Sequence, residues 1–124
     1  MKETIKYLKN QAEKLWGIIV LKRGQRECLV CGNKLQVIPH HFIPKRISLA
    51  LRYDPENGIC LCQKCHIDLH QKSDPMLAIM IAIRKGKKWL DYLKEKRKQE
   101  IIPNKEWYRE QLKKLCLYNQ NENG

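Results

Sequence analysis

Apolar residues recur at Ile5, Leu8, Ala12, Leu15 and Ile19, in alternating steps of three and four. That is the stripe of an amphipathic helix, and it stops before the turn KRGQR at residues 22–26. The period then breaks up. Residues 28–33 (CLVCGN) read as a tight knuckle in which Gly32 supplies a positive φ. Residues 34–42 are short and partly alternating, which predicts a strand, and Pro39 restricts it to an edge or an irregular end. No clean period runs through residues 43–58, which close on the turn signals Asp54-Pro55 and Asn57-Gly58. Residues 59–62 (ICLC) predict a second short strand, and residues 63–71 a helix. That helix stops before Ser73-Asp74-Pro75, where Pro75 opens a new helix capped by Ser73 or Asp74. The remainder is helical: Gly86 ends or kinks one helix, residues 87–99 form another, and Pro103-Asn104 opens a last one carrying Tyr108, Leu112 and Leu115. The final stretch, 119–124, is expected to be disordered.

The pattern predicts a mainly helical α+β protein of one domain, 1–124: an N-terminal helix over 1–23, a turn-rich core over 24–72, C-terminal helices over 73–118, and the tail. The core is so interrupted by Gly, Pro and Asn that it needs a staple. Six cysteines suggest what that is. The N-terminus has no long apolar segment with a small-residue cleavage site, and the apolar run at 76–83 is too short to span a bilayer. An intracellular, reducing setting follows, where cysteines serve metal sites rather than disulfides. Cys28-x-x-Cys31 and Cys62-x-x-Cys65 are two knuckles whose thiolates can close a tetrahedron around structural Zn²⁺; two disulfides or free thiols are the other reading. Cys60 and Cys116 read as packing residues.

All four histidines lie between residues 39 and 70. His66 and His70 are one helical turn apart and can share a divalent ion, with Cys65 pinning the start of their helix. His40 and His41 are strand neighbours, so they point to opposite faces: one can join that metal while the other aims elsewhere. Either pair alone is an ordinary surface feature.

Through CLVCG, HHFIPKR, LRYDPENGICLC and CQKCHIDLH, residues 28–70 resemble the HNH endonucleases, the ββα-metal or His-Me finger nucleases. LRYDPENGICLCQKCH is similar in particular to HNH proteins that phages carry for recombination. The resemblance implies two strands and a helix around one catalytic metal, braced by a four-cysteine zinc. It implies His41 as general base, His40, His66 and His70 as ligands, and Asn57 as the residue that braces the loop and holds the base. The catalytic ion would be Mg²⁺, Mn²⁺, Ni²⁺ or Zn²⁺; three imidazoles disfavour Mg²⁺.

The chain carries 25 Lys and Arg against 13 Asp and Glu, net +12, so nucleic acid is the expected partner, ahead of an anionic membrane. Lys45, Arg46 and Arg52 are candidate phosphate clamps, and Arg84, Lys85, Lys87 and Lys88 open a basic run that can track a DNA backbone; each can equally be a solvated charge. The expected function is a metal-dependent DNA endonuclease, with a two-fold homodimer where cuts are paired. The rival is a catalytically silent zinc module that binds DNA or protein, and RNA is the other substrate class.

Overall fold

The computed structural model describes residues 3–123. Helix α1 (Ile5–Arg23) starts at Thr4, whose hydroxyl accepts from the Tyr7 N–H at 3.1 Å. Its buried face is Leu8, Ala12, Trp16, Ile19 and Val20, while Ile5 is 39% exposed and Leu15 only half-buried. The apolar stripe is therefore centred one position later than the spacing alone suggests. Tertiary neighbours choose the face: on one side the hairpin, on the other Tyr108 and Leu115 of the last helix. The helix runs through Arg23, and Gly24 caps it by donating to the Val20 carbonyl at 3.0 Å. Only glycine fits there, because a Cβ would run into the Cys60 sulfur.

Strands β1 (Val37–His41) and β2 (Gly58–Cys62) form an antiparallel hairpin pairing Val37 with Cys62, His40 with Ile59, and His41 with Gly58. The first strand is shorter than the 34–42 predicted, since Gln36 takes a left-handed conformation at φ 55° and breaks the extended run. Pro39 is accommodated because a two-stranded sheet has only edge strands. Both faces of β2 are covered: Cys60 packs with α1, while Ile59 and Leu61 join Leu51, Ile81, Trp89 and Leu93. A 3₁₀ turn at Pro55–Asn57 leads into β2.

Helix α2 (Gln63–His70) follows β2 directly. Helix α3 (Pro75–Lys85) is capped by Asp74, which accepts from the Met76 N–H at 3.0 Å. Gly86, at φ 94°, separates it from α4 (Lys87–Lys96), which ends before the 99 expected. Helix α5 (Lys105–Asn123) lies along α1. The expected disordered tail is a correction: α5 continues through 119–123, held at its far end by Lys22 Nζ donating to Asn119 Oδ1 at 3.3 Å, and Gly124 lies outside the described residues. Cys116 is also corrected, being exposed on α5 rather than packed. The fold is α+β and mainly helical, as its pattern predicts.

Candidate metal centres

Cys28 and Cys31 sit on the knuckle after α1, where Gly32 at φ 77° donates to the Cys28 carbonyl at 2.9 Å. Leu29 N–H donates to the Cys60 carbonyl at 2.8 Å and ties the knuckle to β2. Cys62 ends β2 and Cys65 lies in the first turn of α2. The four sulfurs lie within 4.8 Å of one another, with Cys31 and Cys62 at 3.6 Å, and none is in a disulfide. Zinc–sulfur bonds of about 2.3 Å put tetrahedral sulfurs about 3.8 Å apart, so the set fits a structural zinc. Burial pushes the Cys28 thiol up, but N–H donors from Cys31, Cys62 and Val30 outweigh it and bring it down to about 7. Burial and the neighbouring thiols push Cys65 up. Cys60 stays outside the cluster, donating its S–H to the Val20 carbonyl at 3.3 Å.

His40 of β1 meets His66 and His70 of α2, with ligand nitrogens again within 4.8 Å of one another. His70 Nε2 stands 3.1 Å from His40 Nδ1, near the separation of about 3.4 Å that two nitrogens take around one tetrahedral ion. The rings meet edge to face, at 77° and 78° about His40. Burial, then the charges of the other three histidines, depress His40 to about 3, and burial and His70 depress His66. His40 is therefore uncharged at neutral pH, the form that ligates.

The neighbouring His41 is held differently. Its imidazole stacks on the Trp16 indole, with centroids 3.7 Å apart and planes 6° apart. Its Nε2–H donates to the Arg52 carbonyl at 2.8 Å. A carbonyl only accepts, so the proton sits on Nε2 and Nδ1 keeps the lone pair. Burial depresses the ring to about 4; the Arg52 carbonyl and Glu13 oppose this, while Lys45 and Arg52 reinforce it. Although strand neighbours diverge, the end of β1 is open enough for all four histidines to line one cavity of about 390 Å³, together with Glu13, Trp16 and Lys45.

Asn57 is fully buried and binds the loops rather than the imidazole. Its Oδ1 accepts from Ile43 N–H at 2.8 Å, and its Nδ2 donates to the carbonyls of Ile43 at 2.9 Å and Leu51 at 3.3 Å. The carbonyl of Arg52, one residue beyond Leu51, is what orients His41.

Of the basic candidates, Lys45 pairs with Glu13, Arg52 Nη2 lies 3.8 Å from the same carboxylate, and Arg46 is exposed. Burial raises the Glu13 carboxyl, yet the Lys45 hydrogen bond and the surrounding cations leave it below the usual range. Residues 84–88 do not line the histidine cavity. Arg84 instead donates to the Leu29 and Val30 carbonyls of the knuckle, Lys85 lies 5.5 Å over the Trp89 ring, and Lys87 pairs with Asp91 at 2.7 Å, leaving Lys88 exposed on α4. Trp16 and Glu13 are site residues that motif reading misses. Trp16 falls on the α1 stripe between Ala12 and Ile19, the one trace of it in the sequence.

Residues 28–72 match the family profile described as HNH endonuclease. No curated protein and no solved structure matches the chain.

Proposed function

We propose that the chain, whose residues 28–72 match the HNH endonuclease profile, is a metal-dependent DNA endonuclease that hydrolyses phosphodiester bonds, with His41 as general base. The observation that carries this reading is the convergence of all four imidazoles, two from a strand and two from a helix, on one cavity. His41 is uncharged at neutral pH, and its Nδ1 lone pair accepts the proton of an attacking water. The Arg52 carbonyl keeps its bond to Nε2–H as the ring becomes charged, and so stabilises the imidazolium. Lys45 lines the cavity and Arg52 lies near the same Glu13 carboxylate, so both are cations for the substrate phosphate once they exchange Glu13 for it. Asn57 positions rather than reacts, by fixing the loop that carries the Arg52 carbonyl.

His40, His66 and His70 would hold a divalent ion, which supplies Lewis-acid neutralisation of the phosphate and help for the departing oxygen. Zn²⁺, Ni²⁺ and Mn²⁺ are the better candidates for an all-imidazole set, and the four cysteines take a structural Zn²⁺. The nucleic-acid partner is favoured by the net charge of +12.

Plasmid cleavage with Mg²⁺, Mn²⁺, Ni²⁺ and Zn²⁺, wild type against His41→Ala, tests the proposal. Removing a general base costs about 10²–10⁴-fold in turnover and leaves DNA binding intact. Wild-type protein that binds DNA and cuts nothing under any of the four metals would be the non-catalytic zinc module instead. Nicked, branched and single-stranded DNA, with RNA alongside, define the substrate.

A further inference from the structure

The family match begins at residue 28, yet one face of the cavity is made by α1, which precedes it. Trp16 is 2% exposed and its indole N–H donates to the Asp54 carbonyl at 2.8 Å, so the ring cannot turn in its pocket. The His41 acceptor, the Arg52 carbonyl, lies two residues earlier on the same loop. Indole and imidazole are thus both referenced to one short segment, 52–54, and to each other. Among the described residues, the other ring pairs meet at 47° to 78°, whereas Trp16 and His41 are 6° from parallel. Residue 58, paired with His41 across the hairpin, is glycine; a Cβ there would collide with Val20 and stand 3.0 Å from Trp16 Cζ2. The hairpin therefore yields its side chain at the one place that lets α1 bring the indole beneath the imidazole.

We infer that Trp16 is a positioning residue of the nuclease site: laid flat against His41, it fixes the plane and the Nε2–H tautomer in which His41 works. This rests on the nuclease reading above. It makes α1 part of the working site, so the matched segment alone is not the full catalytic unit. A flat indole blocks rotation about the imidazole's Cβ–Cγ bond and so holds Nε2–H on the Arg52 carbonyl, which leaves Nδ1 as the basic nitrogen. A leucine keeps an apolar side chain but no flat face, so the ring can tilt; phenylalanine keeps a flat face while giving up the bond to Asp54 and part of the indole's packing.

The experiment compares wild type, Trp16→Phe and Trp16→Leu as full chains with metals loaded. The readouts are kcat and KM for DNA cleavage, folded fraction by thermal melting, and long-range ¹H–¹⁵N NMR of the histidines. Wild type should show His41 as the Nε2–H tautomer with carbon-bound protons shifted upfield by the indole. Trp16→Leu should lose that shift, mix tautomers and drop in kcat by up to about 100-fold at unchanged KM, the scale of an ångström-sized misplacement. Trp16→Phe should recover most of kcat. The inference is overturned by a folded Leu variant with wild-type kcat, or by Phe and Leu variants that fall equally. A wild type that cleaves DNA while His41 lacks the ring shift overturns the positioning role alone; a wild type that cleaves nothing overturns both readings.

Discussion

Asn57 and Ile43 grip one another reciprocally: the Ile43 N–H reaches Oδ1 at 2.8 Å, and Nδ2 returns a bond to the Ile43 carbonyl at 2.9 Å. The loop leaving β1 is thereby locked to the turn entering β2, although the two residues are 14 apart in sequence. Asn57→Ala strands the Ile43 N–H and two carbonyls in a buried site and should cost about 3 kcal/mol or more, measured by urea denaturation of the metal-loaded protein. Asn57→Asp keeps the acceptor for Ile43 but sets a carboxylate oxygen against two carbonyls, so it should be no better than alanine.

Glu13 neutralises Lys45 and stands near Arg52 at the cavity. In Glu13→Gln both cations are released to a phosphate. DNA affinity of the zinc-loaded protein, with no further divalent metal added, should rise several-fold at low salt, and the plot of log K against log salt should steepen by about 0.9 for each phosphate gained. Fluorescence anisotropy across a salt series measures both; an unchanged slope would mean that neither cation meets the backbone.

The four-cysteine set and Cys60 should respond oppositely. Cys28→Ser should lower bound zinc by one equivalent and abolish the cooperative melt, since structural zinc supplies about 10–16 kcal/mol of apparent binding free energy to small folds. Cys60→Ala, outside the set, should retain full zinc and cost only about 1 kcal/mol of packing. Metal analysis alongside circular dichroism separates the two.

Gly24 and Cys60 are coupled by contact. Gly24→Ala drives a Cβ into the Cys60 sulfur and should destabilise the chain by about 1–3 kcal/mol. Placed on the Cys60→Ala background, the same change should cost markedly less, because the obstructing sulfur has gone. A double-mutant cycle that came out additive would mean α1 sits further from β2 than the structure has it.

Legibility in the sequence followed the range of the interaction. The cysteine knuckles and the His66/His70 pair were readable because a metal's ligands constrain spacing within a few residues, and the elements carrying them had local markers in Asn57-Gly58, Pro75 and Gly86. Trp16, Glu13 and the Arg52 carbonyl were not readable, since each meets His41 or Lys45 only after α1 docks on the hairpin. Arg84 shows the limit of charge patterning: within a basic run it looks like a phosphate contact, but it spends its guanidinium on the knuckle carbonyls. The end of α5 looked like a polar tail because its anchor, Lys22, lies 97 residues away.

Cys62 occupies both stories at once. Its sulfur belongs to the four-thiol cluster and also accepts the Cys65 N–H at 3.5 Å as the cap of α2, the helix that carries His66 and His70. Removing this one atom would take away the cap at the root of the helix, and two imidazoles would lose their placement against the third with no histidine touched. The geometry of the three histidines therefore hangs on a sulfur that belongs to the other cluster.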